Sequence, residues 1–184
     1  MPNYEYPRPS LAVDCVVFGV DPPSGVSVLL ITRKFGAFAG CHALPGGFVD
    51  VSDDGGQGED LEEAALRELR EEASVTLRSM FQFRTFGKPG RDPRARVVSV
   101  GYLAVVMSSC HAPLASSDAS DALWVPLEVA LSITLAFDHS HILGVAVRHL
   151  HTMLRPSEET ETEPHQFTSA EYERLTKQGI NFEI

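Results

Sequence analysis

Two apolar segments near the start of the chain, separated by a five-residue turn, limit how it can fold. Leu11–Val20 contains one charged residue, Asp14, and Val26–Arg33 is apolar at most of its positions. The segment between them, Asp21–Gly25, is rich in turn-forming residues. Apolar runs of this length favour buried strands, and a short connection favours antiparallel pairing. Residues 11–33 are therefore predicted to form a β-hairpin.

Helix and strand signals alternate along the following part of the chain. Asp60–Ala73 consists of good helix formers apart from the Asp in its first turn. The remaining predicted elements are strands at Val75–Phe86, Val97–Val106 and Leu123–Leu127 and an amphipathic helix at Ser140–Leu154. This order predicts a mixed α/β or α+β sandwich of one domain.

The composition changes after residue 155. Residues 157–164 are acidic and lack apolar side chains, which is typical of a solvated linker. Phe167–Ile184 could add one short helix. We therefore expect a domain over residues 1–155, followed at 156–184 by an acidic linker and a short C-terminal segment.

Charge and cysteine content disfavour several classes of function. The formal net charge of −10 argues against binding to a nucleic-acid backbone, because such proteins usually present a basic face. Cys15, Cys41 and Cys110 are an odd number without a C-x-x-C pair, so we expect neither a disulfide framework nor a structural zinc site. No segment has the pattern of a secretion signal or a membrane span. The expected setting is the cytoplasm, with a small molecule rather than nucleic acid or membrane as the partner.

Three glutamates on the predicted helix form the most informative polar pattern. Glu68 lies four positions before Glu72 and three before Glu71, so their carboxylates occupy neighbouring arcs of the helix. Like charges this close repel one another. The cluster is therefore either a solvated face relieved by arginines or a site for Mg²⁺, a cation that prefers oxygen ligands. The Leu44–Gly47 turn could add a backbone carbonyl, because glycine permits close approach.

The residues around this helix resemble the Nudix hydrolase signature, G-x5-E-x7-R-E-U-x-E-E-x-G-U, in which U is a bulky aliphatic residue. Glu59 and Arg67–Val75 match its second half at all but one position, and Gly47 resembles its first glycine. Ser74 replaces the glycine that ends the helix, and an inserted loop at Val51–Gly58 lengthens the first gap by about six residues. The resemblance implies a Nudix-type α/β/α sandwich with a mixed β-sheet.

The resemblance also implies a metal site. Glu68 and Glu72 would be the principal ligands of Mg²⁺, with Mn²⁺ as an alternative ion. Glu71 would bind a further ion, and the carbonyl of Gly46 would act as a backbone ligand. A metal-activated water would then attack one phosphorus of a diphosphate.

Two further catalytic assignments concern an arginine and a general base. The resemblance implies that Arg67 orients the carboxylates by ion pairing, with Glu59 as its partner. In this family the base is often an acidic residue outside the signature. Asp118 or Asp121 is the candidate, the alternative being an aspartate that only stabilises a turn.

Residues 85–102 resemble Nudix proteins of the ADP-ribose pyrophosphatase group, and also the Nudix domains of transcriptional regulators of NAD metabolism. Three arginines here place positive charge in an acidic chain and are predicted to bind phosphate or ribose. They are Arg91, Arg94 and Arg96. The alternative is a solvated loop whose arginines pair with surface acids. Phe86 or Tyr102 is the candidate for stacking on a base, unless it packs in the core.

The predicted function is Mg²⁺-dependent hydrolysis of ADP-ribose, or of a similar nucleoside diphosphate linked to another moiety, to AMP and a phosphorylated sugar such as ribose 5-phosphate. Hydrolysis of another dinucleotide, a nucleotide sugar or a nucleoside triphosphate is the alternative activity. A non-catalytic ADP-ribose-sensing domain is a third hypothesis, although a winged helix is not expected in the acidic residues that follow residue 155. A homodimer is a further expectation, because the similar ADP-ribose enzymes commonly dimerise.

Overall fold

The computed structural model describes residues 5–21, 25–51, 58–116 and 118–154. The elements in chain order are β1 (Ser10–Asp21), β2 (Gly25–Arg33), β3 (His42–Ala43), β4 (Gly46–Phe48), α1 (Leu61–Ala73), β5 (Phe81–Phe86), β6 (Val97–Val106), a short 3-10 helix (Ser108–Cys110), β7 (Ala119–Pro126), α2 (Leu127–Ser132) and α3 (His139–Leu154). The predicted linker and C-terminal segment at 156–184 lie outside the described residues.

Strand β1 organises the sheet. It pairs antiparallel with β2 and β4 and parallel with β6. The sheet has the order β3-β2-β1-β6-β5, with β4 paired to β1 and β7 paired to β2. The predicted hairpin is confirmed by the register that places Phe18 opposite Val28. The mixture of parallel and antiparallel pairs also confirms the predicted mixed sheet.

Alternation of side chains along β1 divides the core into two halves, because successive strand residues point to opposite faces. Val13, Cys15 and Val17 pack with the buried residues of α1. Val16, Phe18 and Val20 pack with α2 and α3. One helix therefore covers one face of the sheet and two helices cover the other, which confirms the α/β/α sandwich.

The segment after α1 differs from the prediction. The expected strand Val75–Phe86 is a strand only from Phe81. Met80 donates its backbone N–H to the carboxylate of Glu62 on α1 at 2.9 Å instead of to a neighbouring strand. The chain uses residues 75–80 to return from the helix to the sheet edge, so extended pairing begins late.

The segment around Pro126 also differs from the prediction. The strand expected at Leu123–Leu127 begins earlier, at Ala119, and ends at Pro126. Proline has no N–H to continue a ladder and is tolerated at a helix start. Leu127 therefore opens α2, a helix of six residues that is too short to show a periodic pattern.

Helix α1 is held at both ends. Asp60 is the N-cap rather than a first-turn residue, and it forms a capping box with Glu63. At the other end Ser74 adopts the left-handed conformation with φ 57°, and its N–H donates to the carbonyl of Arg70 at 3.0 Å. The serine keeps the geometry expected of the signature glycine, at a cost of about 1 kcal/mol.

The three cysteines are free thiols, buried at Cys15, half-buried at Cys41 and exposed at Cys110. Among the described residues no helix is both long and apolar enough to cross a membrane.

Candidate active site

A cavity of about 280 Å³ lies between the start of β1, the turn that leads into β4, helix α1 and the loop after β5. Six of the predicted site residues line it, namely Gly46, Glu68, Glu72, Arg91, Arg94 and Asp118. The Leu44–Gly47 turn and helix α1 therefore line the same cavity, as expected if the glutamates of α1 belong to a site.

Glu72 is the most buried carboxylate of the signature, with 5% of its surface exposed. Its Oε2 accepts the backbone N–H of Gly46 at 2.9 Å. Burial raises the pKa of Glu72 to about 7; the Gly46 N–H opposes this rise, and the neighbouring Glu68 adds to it. An ionised Glu72 would therefore gain from a cation bound in the cavity.

Glu68 lies one helical turn before Glu72 and faces the same cavity. Burial raises the pKa of Glu68, while its hydrogen bond from Arg67 lowers it. The two glycines of the turn make room for these groups. A Cβ atom on Gly47 would collide with the Glu68 carboxylate, and one on Gly46 would collide with the Val13 carbonyl. The Gly-Gly pair is therefore a steric requirement of the site.

Arg67 connects the carboxylates of α1 to the preceding loop. Its guanidinium donates to both oxygens of Glu59, at 2.9 Å and 2.7 Å, which confirms the predicted ion pair. It also donates to Glu68 at 2.9 Å, to Glu71 at 3.1 Å and to the Phe48 carbonyl at 3.0 Å. Hydrogen bonds to Glu59 raise the pKa of Arg67, so its charge is permanent. One rigid fork thus orients three carboxylates.

Comparison with known proteins agrees with this geometry. Residues 8–144 match the family model described as NUDIX domain. The chain belongs to the Nudix family.

Named relatives extend the comparison. The chain is 35% identical over 152 residues to the "ADPR responsive transcriptional repressor NtrR" of Acinetobacter baylyi. The aligned residues cover 82% of this chain and 58% of the repressor. It is 35% identical over 138 residues to the "ADP-ribose pyrophosphatase" of Methanocaldococcus jannaschii, covering 75% of this chain and 73% of that protein. Its structure is similar to the NUDIX domain of Shewanella oneidensis NrtR complexed with ADP ribose, with TM-score 0.71, 34% identity and coverage of 80% and 94%.

The third glutamate of the Nudix helix stands apart from the first two. Glu71 does not line the cavity, and 45% of its side chain is exposed beside Arg67. A further ion held by Glu71 would therefore bind at the outer side of the Arg67 fork. Its assignment as a ligand stays a prediction.

The two candidate bases occupy different places. Asp118 lines the cavity, and its charge contributes to the raised pKa of Glu72. Asp121 lies on β7 opposite Thr32, accepts the N–H of Ala122 and does not line the cavity. Position alone therefore favours Asp118 over Asp121 as the candidate general base.

The residues of this Nudix site fit a partly hydrated divalent cation. Within the described parts of the chain, no group of three or more His, Cys, Asp or Glu side chains forms a complete metal-binding set. Mg²⁺ does not need one, because it is usually held by one or two carboxylates and completes its shell with water and substrate phosphate. Glu68 and Glu72 supply two carboxylates in one cavity, where burial raises the pKa of both.

Arg91 does not have the exposed position expected of a substrate-binding arginine. Its side chain is 5% exposed and donates to Asp138 at 2.7 Å and to Asp14 at 3.0 Å. Its charge is therefore neutralised inside the fold by Asp14 and Asp138, rather than by surface acids in a solvated loop. Arg96 is exposed, donates to the Val97 carbonyl and lies outside the cavity.

Arg94 is the predicted arginine that remains available to a ligand, with 44% of its side chain exposed. Its guanidinium lies 5.2 Å from the ring centre of Phe48 and 5.0 Å from that of Phe137, and it pairs with Asp92 at 2.7 Å. Arg33 also lies over the Phe137 ring, at 4.9 Å. This arrangement places two planar cations and two aromatic rings beside the cavity.

The aromatic residues predicted to stack on a base are core residues. Phe86 is 5% exposed and packs toward α3, and Tyr102 is buried toward α1. The aromatic rings at the cavity are instead Phe48 and Phe137, and Phe137 has the left-handed φ of 52°. The sequence near Phe137 gives no sign of this position, because Phe137 reaches the cavity only through the folding of the turn before α3.

A buried polar network supports the floor of the cavity. Asp14 accepts from Ser99 at 2.6 Å and from Arg91 at 3.0 Å. His139 accepts the Leu44 N–H at its Nδ1 at 2.9 Å and places its Nε2 3.2 Å from Asp14. The network ties α3 and the loop after β5 to the turn that carries Gly46. In the sequence, Asp14 could be noticed because it is the one charged residue of the apolar strand Leu11–Val20.

Burial alone would raise the pKa of the Asp14 carboxyl, but His139, Arg91 and Ser99 outweigh burial and lower the pKa to about 2. Asp14 is therefore a permanent anion at neutral pH, and it supplies the countercharge that buried Arg91 requires.

Proposed function

We propose that this chain hydrolyses ADP-ribose to AMP and ribose 5-phosphate with the help of Mg²⁺ or Mn²⁺. The observation that carries the proposal is the placement of Glu68 and Glu72 together in the lining of one cavity, in contact with the Gly46–Gly47 turn. The similarity to the ADP-ribose pyrophosphatase of Methanocaldococcus jannaschii supports the choice of substrate.

Each polar group of the cavity has a role in this proposal. Glu68 and Glu72 hold the metal, and Arg67 keeps Glu68 oriented. When bound, the metal neutralises phosphoryl oxygens and makes a water more acidic. Asp118 accepts the proton of the attacking water. Arg94, in the lining of the same cavity, contributes positive charge toward the diphosphate.

The overall reaction consumes one water and one diphosphate. The water oxygen forms a bond to one phosphorus, and the bond from that phosphorus to the bridging oxygen breaks. The second phosphate leaves with the bridging oxygen, so that both products are monophosphates.

Release of AMP from ADP-ribose, with and without Mg²⁺, tests the proposal. Glu72→Gln removes a ligand charge and is expected to lower kcat/KM by at least about 100-fold, since loss of even the groups that orient a metal ligand costs up to about that much. Glu128→Gln, an exposed change of the same type on α2, is the matched control and should leave turnover unchanged. Equal activity of Glu72→Gln and wild type would refute the site.

A second candidate function is ADP-ribose sensing without hydrolysis. The similarity to a repressor described as ADPR responsive favours it, although the chain spans only 58% of that repressor's length. Tight binding of ADP-ribose without AMP release at any Mg²⁺ concentration would select this function over catalysis.

A further inference from the structure

A second cavity, of about 640 Å³, lies beside the first. It is formed by the end of β5, the loop at residues 87–91 and the start of α3. Arg91 and Phe137 line both cavities, so the second continues from the side of the first that faces α3.

The sizes of the two cavities indicate that a ligand would use both. Pockets that enclose a whole small-molecule ligand measure roughly 300–1,000 Å³. The first cavity, at about 280 Å³, falls just below this range. A diphosphate held near Glu68 and Glu72 with a large group at each end would extend beyond it, and the second cavity offers adjoining space.

Two basic side chains of the second cavity have no partner in the part of the chain that the structure describes. Arg84 and Lys88 line it, and neither side chain has a hydrogen-bonding, ionic or ring partner among the described residues. The acid in its lining, Asp138, is already paired with Arg91 at 2.7 Å. Two cations that are unpaired among the described residues therefore line one cavity of a chain whose net charge is −10.

The first cavity already contains what a diphosphate needs. Glu68 and Glu72 can hold a divalent cation there, and Arg33 and Arg94 lie in its lining. Arg84 and Lys88 are consequently left for a different anionic group. Phe86 and Phe137 add ring surface to the second cavity, which suits the apolar face of a sugar.

We propose that the second cavity binds the far moiety of the substrate, and that Arg84 and Lys88 recognise a phosphate or carboxylate on that moiety. Relatives of ADP-ribose whose second end carries a further negative charge are then bound more tightly than ADP-ribose itself. This inference rests on the proposed function for the position of the diphosphate.

Calorimetric binding of two ligands tests the inference without requiring turnover. The ligands are ADP-ribose and ADP-ribose that carries an added phosphate on its terminal ribose. Wild type is expected to bind the phosphorylated ligand about tenfold more tightly, since hydrogen bonds to charged groups are among the stronger ones. Arg84→Gln/Lys88→Gln should abolish this preference while leaving the affinity for ADP-ribose within about twofold.

The control is Arg148→Gln, an exposed arginine on α3 that lines neither cavity. It should keep the full preference. Equal loss of affinity for both ligands in the double variant, or no loss for either, would overturn the inference. Inorganic phosphate is titrated separately; saturable phosphate binding that needs Arg84 and Lys88, without any preference between the two nucleotides, would assign the cavity to a free anion and also overturn it.

The result of this binding experiment can be distinguished from the result of the test of hydrolysis. Absence of AMP release refutes hydrolysis, whereas the difference in binding between the two ligands is measured on the full chain regardless of turnover.

Discussion

A single guanidinium, that of Arg67, orients two carboxylates of the Nudix helix and one carboxylate of the loop before it. It contacts Glu59, Glu68 and Glu71 at once, with distances of 2.7–3.1 Å. Arginine can do this because its five N–H groups are fixed in one plane. Lysine carries the same charge on a single nitrogen and cannot reach all three partners with good geometry.

Arg67→Lys is therefore expected to weaken Mg²⁺ activation by about tenfold or more while preserving net charge. The measurement is the Mg²⁺ concentration that gives half-maximal AMP release. Arg70→Lys, on the same helix but outside the fork, is the control. An unchanged Mg²⁺ requirement in Arg67→Lys would show that the fork does not organise the ligands.

Asp14 gives the stability of the fold a defined pH dependence. Its pKa is lowered in the folded chain to about 2 from an ordinary 3.8, so its contribution is fully present above about pH 4 and is lost as pH falls toward 2. A shift of this size corresponds to about 2 kcal/mol.

Asp14→Asn should therefore lower the free energy of unfolding by about 2 kcal/mol at pH 7, with a smaller difference from wild type at pH 3. Urea denaturation at the two pH values measures this. A difference that stays constant with pH would mean that the Asp14 charge does not stabilise the fold.

At the level of elements, α1 is positioned by its two ends as much as by its buried face. The capping box at Asp60 satisfies N–H groups at the first turn, and the left-handed Ser74 closes the last turn. A non-glycine residue pays a conformational cost in that region. The family pattern has glycine here, so Ser74 marks a position where stability can be gained.

Ser74→Gly is expected to raise the free energy of unfolding by about 1 kcal/mol, because glycine adopts positive φ without a Cβ clash. Ser74→Ala separates this effect from loss of the hydroxyl, since alanine keeps the clash and should not be more stable than wild type. Urea denaturation provides the comparison. Equal stabilisation by Ser74→Gly and Ser74→Ala would mean that loss of the serine hydroxyl, and not relief of the backbone strain, raises the free energy of unfolding.

At the level of the whole molecule, sequence patterns predicted the features that are formed by residues close together in the chain. The hairpin, α1 and the Arg67–Glu59 pair follow from short-range spacing and a compact signature. The pairing of Arg91 with Asp14 joins residues 77 positions apart, and no local pattern contains it. The same holds for Phe137, which reaches the cavity through the packing of α3. Contacts between distant segments therefore account for the parts of the site that the sequence did not predict.

The proposed metal site, with Glu68 and Glu72 as its protein carboxylates, predicts a particular response to ligands. Mg²⁺ alone should raise Tm little, whereas Mg²⁺ with saturating AMP, which adds phosphate oxygens to the metal shell, should raise it by about 5–10 °C. Thermal unfolding with each ligand separately and together measures this. Glu68→Gln/Glu72→Gln should lose the joint effect, and an equal shift with Mg²⁺ alone would contradict a shared shell.

The hydrogen bond from Gly46 to Glu72 has a consequence for which ions the chain can use. One oxygen of Glu72 is occupied by that backbone amide, and one oxygen of Glu68 is occupied by Arg67. The other oxygen of each carboxylate has no hydrogen bond within the described residues, so we expect each carboxylate to bind an ion mainly through that one oxygen. Small octahedral ions accept such donors readily, whereas Ca²⁺ gains much of its affinity from carboxylates that bind through both oxygens. We therefore expect the proposed metal site to favour Mg²⁺ over Ca²⁺.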